Sequence, residues 1–244
     1  MVQLKYFGDD RDFFKYDLLS SVLSENIFAT YGFVPMLTFH REDGEGNITP
    51  RHINGKSGEL YRFISACPNR DLNHWQKWMQ RFSVNYQTIQ PVNETFFRHH
   101  TRANYWQKFK DIINSDYALI FFDPDTGLQA GRKSTIKPGD EEKYILNQDL
   151  LLLTNKLAST SVYVIYQHLQ RNRNKREEDI IRKITALRES YVGLQVSVYY
   201  ENDLSFFFLS KEDVLHSKIN SILAKYYRNS TVKQKNVFLQ VTAA

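Results

Sequence analysis

Cysteine is almost missing from this 244-residue chain, in which Cys67 stands alone. That excludes an intramolecular disulfide and a cysteine-based zinc site. No apolar run approaches the ~18 residues of a membrane span. The opening MVQLKYFGDDRD lacks the apolar stretch of a secretory signal. A cytoplasmic protein with no membrane partner is the simplest expectation. No internal repeat and no low-complexity linker is present. Several catalytic signatures are absent too: there is no GxxxxGK(S/T) loop and no HExxH helix. Neither a GxSxG elbow nor the His-x-Glu with Pro-Cys-x-x-Cys of zinc deaminases occurs.

What is present is enough to fold. Hydrophobic residues make up 42%, charged residues 24% and aromatics 14%, which excludes disorder as the default and allows a sizeable core. The net charge of +5 is a weak sign of a polyanion partner on its own. Its distribution says more. Residues 1–50 carry 4 basic against 8 acidic side chains, and 51–114 carry 10 against 4. Residues 115–150 carry 4 against 7, and 151–244 carry 14 against 8. Acidic and basic segments alternate along the chain.

Periodicity predicts a helix over 12–25, a buried strand over 32–39 and a glycine-rich loop over 40–58. Helices are expected over 57–66 and 71–82, with Trp75, Trp78, Met79 and Phe82 on one core-facing stripe. A strand over 86–89 and a helix over 103–113 complete a mostly helical insertion at about 50–114. The clearest element is the apolar run Tyr117–Phe122, which reads as a strand buried on both faces. A helix over 148–158 precedes a strand over 161–166 that ends at Gln167-His168. Then come a charged helix over 175–190, a hairpin of 194–200 with 204–210, a helix over 211–227 and a strand over 236–242. Strands alternating with helices predict a single α/β domain. Its fold is Rossmann-like, with a mainly parallel sheet, a C-terminal antiparallel hairpin and a helical insertion. Ligands in such sheets bind beyond the carboxyl ends of the strands.

Four groups of residues can carry chemistry. Asp123-Pro124-Asp125-Thr126-Gly127 ends the apolar strand, and its two carboxylates can share a metal or orient an amine. Tyr166-Gln167-His168 ends another strand; His changes charge near neutral pH, and Gln offers a donor and an acceptor. Gly8, Asp9, Asp12 and Lys15 crowd the start of the first helix, whose free N–H groups suit an anion. Gly44, in Asp43-Gly44-Glu45-Gly46-Asn47, lets a ligand approach the backbone after the first strand. Basic clusters at Arg171, Arg173, Lys175 and Arg176, and at Arg98, His99, His100 and Arg102 beside Trp106, suit phosphate contacts and base stacking.

These motifs resemble those of two groups of proteins. Tyr6-Phe7-Gly8-Asp9 with Lys15-Tyr16, Asp123-Pro124-Asp125-x-Gly127-Leu128, Lys143-Tyr144 and Tyr166-Gln167-His168 resemble a widespread group of uncharacterised bacterial proteins, over about residues 5–170. More distantly, Gly8-Asp9-x-x-Asp12-x-x-Lys15-Tyr16 is similar to the Gly-Asn-x-x-Asp-x-x-Lys-His motif of class I S-adenosylmethionine-dependent methyltransferases. The likeness is to the adenine-N6 enzymes of large-subunit ribosomal RNA. Asp123-Pro124-Asp125-Thr126 stands where those enzymes carry Asp-Pro-Pro-Tyr.

This second resemblance implies a methyl-donor pocket at Gly8, Asp9, Asp12, Lys15 and Gly44. Asp123 and the Pro124 carbonyl would hold the acceptor amine, and Tyr166 would supply the missing stacking aromatic. The leading expectation is therefore methyl transfer to nucleic acid or a nucleotide. Asp125, Gln167 and His168 would touch substrate, and Arg171 and Arg173 would hold phosphates. One rival is a nuclease or phosphohydrolase with Mg²⁺ on Asp123 and Asp125. Another is a non-catalytic nucleic-acid-binding module.

Overall fold

Nine strands and eight α-helices alternate in the computed structural model, which describes residues 8–38, 50–66, 72–89, 97–132, 134–201, 203–229 and 236–239. The strands are β1 (Thr30–Val34), β2 (Asn85–Thr88), β3 (Ala118–Phe122), β4 (Gly127–Leu128), β5 (Tyr144–Ile145), β6 (Val162–His168), β7 (Gln195–Glu201), β8 (Leu204–Ser210) and β9 (Asn236–Leu239). The helices are α1 (Asp10–Leu23), α2 (Gly58–Ser65), α3 (Leu72–Met79), α4 (Arg102–Lys108), α5 (Lys110–Ile113), α6 (Asn147–Lys156), α7 (Arg176–Ser190) and α8 (Asp213–Asn229).

Seven strands form the main sheet in the order β2-β1-β3-β6-β8-β7-β9, and β4 and β5 form a small parallel pair apart from it. The first four strands of the main sheet run parallel. The β7–β8 hairpin then closes back so that β8 lies antiparallel to β6. The expected Rossmann-like α/β fold with its antiparallel C-terminal hairpin is the one observed. From β1 the chain winds to β2 on one side, and later returns to β3 on the other side of β1. The strand order therefore reverses between β1 and β3, the place where open α/β sheets bind ligands.

Two boundaries differ from expectation for physical reasons. β1 stops at Val34 because Pro35 has no N–H to continue the ladder. β6 runs on through His168, which pairs with Leu204, so Gln167 and His168 lie inside the strand and not beyond it. Among the described residues of 50–114 the chain forms α2, α3, α4 and α5. Its strand β2 pairs with β1 in the main sheet, so the segment belongs to the winding of the fold.

Strand alternation splits the core into two layers. Leu119, Phe121, Val162, Val164 and Tyr166 face α1, α2, α3 and α8. Ile120, Phe122, Tyr163 and Ile165 face α4, α5, α6 and α7. Helix α1 is buried on nearly every side, packed between the sheet and other helices. The stripe of Trp75, Trp78 and Met79 is core, as its spacing predicts, with Tyr16 stacked on Trp75 at 3.6 Å between ring centroids. A buried ion cluster ties distant segments on this side. The Lys56 ammonium donates to Glu201 at 2.9 Å and to the Tyr226 hydroxyl at 2.6 Å, while the Tyr226 hydroxyl donates to Asp17. Among the described residues no helix is long and apolar enough to cross a membrane.

Candidate functional site

Helix α1 delivers two charged residues to the carboxyl ends of the strands. Asp9 is its N-cap, and the Asp9 carboxylate accepts from the Arg11 and Asp12 N–H groups at 2.9 and 3.0 Å. Asp12 accepts from the Gly8 N–H at 2.7 Å. Three residues later on the same face, the Lys15 ammonium lies 3.0 Å from Asp12.

The third member comes from β3. The Asp123 N–H still bonds the Val34 carbonyl at 3.0 Å, and Pro124 then ends the ladder. Alternation along β3 points the Asp123 carboxylate to the α1 side, where Lys15 donates to both of its oxygens at 2.9 Å. Tyr166 reaches the same side from β6, with its ring centroid 4.2 Å from the Lys15 nitrogen. The Tyr166 hydroxyl is 3.0 Å from Nε2 of His168. Asp9, Asp12, Lys15, Asp123, Tyr166 and His168 thus form one connected cluster at the reversal of strand order.

The cluster holds three carboxylates and one ammonium, and its proton affinities follow. Burial pushes the Asp123 carboxyl up to about 7; Lys15 pulls it down, while Asp12 and Asp9 push it back up. Burial and then the neighbouring Asp12 raise Asp9 to about 6. Burial works to lower Lys15, but Asp12 and Asp123 outweigh it and hold the ammonium well above its ordinary value. Burial, with Arg11 and Lys15 nearby, drops His168 to about 3, so its imidazole is neutral at working pH.

The other expected site residues are placed differently. Gln167 points to the opposite face of the sheet from Tyr166. Its Oε1 accepts from the Leu128 N–H at 2.7 Å, and its Nε2 donates to the Thr126 carbonyl at 2.9 Å and to the His168 carbonyl. Its amide is thereby committed to backbone. Gly127 makes this possible: φ is +129°, and a Cβ there would sit 2.2 Å from Gln167 Oε1. Gly127→Ala is expected to cost about 1–3 kcal/mol by strain alone. The cost should shrink when Gln167→Ala is added, as a double-mutant cycle by urea unfolding would read.

Asp125 is half-buried on the turn after Asp123. Among the described residues no three His, Cys, Asp or Glu side chains are grouped to hold a metal. Lys15 already occupies both Asp123 oxygens with a cation of its own. Arg171 and Arg173 are exposed on the turn following β6. Gly44 lies outside the described residues, as does the rest of the 43–47 loop.

The second basic cluster is a correction. Arg102 and Trp106 are buried, and both bond the Asp149 carboxylate at the start of α6. Arg102 also donates to the carbonyls of Glu141 and Tyr144. These residues staple α4 to α6 and leave only His99 and His100 exposed there.

Beside His168 lie two residues that no sequence motif points to, Arg132 and Arg182. A cleft of about 440 Å³ opens next to His168, lined by Arg132, Tyr144, Lys175 and Arg182 among others. Lys175 belongs to the basic run after His168, and Tyr144 to the Lys143-Tyr144 pair. Arg132 and Arg182 stand 50 residues apart with no motif around them.

No family model matches the chain, and no curated protein matches it.

Proposed function

We propose that this chain is a methyltransferase-like protein acting on the adenine amine of a nucleic acid or nucleotide. The observation that carries this reading is the position of Asp123. It ends the central strand where the strand order reverses, and its carboxylate is held on both oxygens by Lys15. A carboxylate offers about four acceptor sites. Lys15 takes two of them, which leaves capacity for an amine N–H, with the Pro124 carbonyl next along the chain. The neutral His168 and its Tyr166 partner form one wall of such a site, and Arg171 and Arg173 are exposed nearby for phosphates.

S-adenosylmethionine is the methyl donor this reading requires. Gly8, Asp9, Asp12 and Lys15 do not fit as its direct contacts. The Gly8 N–H and Asp12 are bonded to each other, Asp9 caps α1, and Lys15 is paired with Asp12 and Asp123. Their work is to hold Asp123 in place, so donor contacts must come from elsewhere in the chain.

Calorimetric titration of S-adenosylmethionine into folded protein is the test. Saturable one-to-one binding is expected, with transfer of a labelled methyl group to an adenine-containing oligonucleotide that Asp123→Asn abolishes. Absence of binding by protein with an intact cooperative melt overturns the reading.

A further inference from the structure

The cleft beside His168 is built, not incidental. Thr126 and Arg132 line it from the two ends of one segment, which α7 holds in place. Lys183 of α7 is buried and donates to the Leu128 and Ala130 carbonyls at 3.0 and 3.2 Å. Arg182 donates through Nε to the Gly131 carbonyl and pairs with Asp179. Gly131 has φ +67°, and a Cβ there would lie 2.8 Å from the Arg182 carbonyl, so helix and turn meet backbone to backbone.

Into this frame Arg132 is aimed by four contacts. Its Nε donates to the Ser134 carbonyl and hydroxyl at 3.0 and 3.1 Å, its Nη1 bonds the Tyr144 hydroxyl, and its guanidinium stacks 4.8 Å from the centre of the Tyr144 ring. Nη2 of Arg132 has no hydrogen-bond partner among the described residues. A guanidinium held through Nε and Nη1 keeps its Nη2 N–H groups, fixed in the guanidinium plane, for a phosphate oxygen. Lys175 lines the same cleft, where it adds a second positive charge. Thr126, Ser134 and Gln170 line it with neutral donors and acceptors. The carboxylates of Glu178 and Asp179 line it too, and both face the Arg182 guanidinium, Asp179 in a direct pair and Glu178 at 3.6 Å. The volume of about 440 Å³ lies in the usual range of small-molecule sites.

We infer that this cleft binds the phosphate of a nucleotide unit, with Arg132 and Lys175 on the phosphate and His168 in the cleft wall. The inference deepens the proposed function by naming where its substrate is held, and it rests on that reading for the choice of nucleotide. The phosphate can belong to a free mononucleotide or to a strand. Binding of AMP, of a 12-nucleotide single strand and of inorganic phosphate, each followed by calorimetry at low salt, distinguishes these sources.

AMP or the oligonucleotide is expected to bind at least tenfold more tightly than inorganic phosphate. Arg132→Gln and Lys175→Gln are each expected to weaken that binding at least tenfold while the melting temperature of the Lys175 variant is unchanged. Preference for AMP identifies a free nucleotide, and preference for the oligonucleotide identifies a strand; both support the site. Binding no tighter than inorganic phosphate, or affinity untouched by both variants, overturns it. Nucleotide binding without S-adenosylmethionine binding upholds the cleft and removes methyl transfer, so the two failures are separable.

Discussion

Lys15→Met is expected to destabilise the protein by about 3–5 kcal/mol at pH 8, and to lose far less at pH 5. The substitution keeps much of the side-chain volume and removes the ammonium from between Asp12 and Asp123. At pH 8 two buried carboxylates then face each other without a counter-charge. In the native protein Asp123 is raised to about 7 from an ordinary value near 3.8. Between those values the folded state binds more protons than the unfolded state, so the contribution of this group to stability falls as pH rises through the window. Without Lys15 the folded value moves higher still, and the penalty extends further into the alkaline range. At pH 5 Asp123 takes up a proton and most of the loss is recovered. Urea unfolding at both values reads the difference, and Lys15→Met with Asp123→Asn should restore most of the stability at pH 8. An equal loss at both pH values would mean that Lys15 matters for packing and not for charge.

The second large effect concerns the other layer of the core. Asp149→Ala should cost about 3–5 kcal/mol, because it leaves a buried guanidinium unpaired. Arg102 loses the carboxylate it pairs with, the Trp106 Nε1–H loses a partner at 2.7 Å, and the Leu146 N–H at the start of α6 loses one at 2.8 Å. Arg102→Leu made together with Asp149→Leu should be milder than Asp149→Ala, since neither charge then remains buried. Thermal melts of the two variants compare them directly.

These two clusters also mark the limit of what the sequence makes legible. Strand β3 and helix α1 can be read directly, because an unbroken apolar run and a helical apolar spacing are local signals. The hairpin is legible for the same reason. The Lys15–Asp123 pair is not, since its members lie 108 residues apart and meet only through the winding of the sheet. Arg102 misleads in the same way. Beside His99 and His100 it reads as a phosphate contact, but the carboxylate that claims it is 47 residues further on. Gln167 looks like a substrate contact because amides suit base edges. What decides its role is a glycine 40 positions earlier, whose missing Cβ leaves room for its amide. The motif positions mark where the candidate site lies, and the long-range partners decide what each side chain is bonded to there.

The sheet order has a consequence for how the protein is made. β6 is a central strand, but its neighbour on one side is β8, which is synthesised about 40 residues later. Until Leu204–Ser210 leaves the ribosome, the edge of VYVIYQH stays unpaired, and it is among the most apolar edges in the chain. Lys56 likewise waits for Glu201 and Tyr226 before its charge is neutralised. A nascent chain stalled near residue 190 would hold Asp12, Lys15 and Asp123 while carrying an open, sticky strand. The candidate site therefore matures only with the last quarter of translation, and truncations that spare every site residue would still yield an aggregating product.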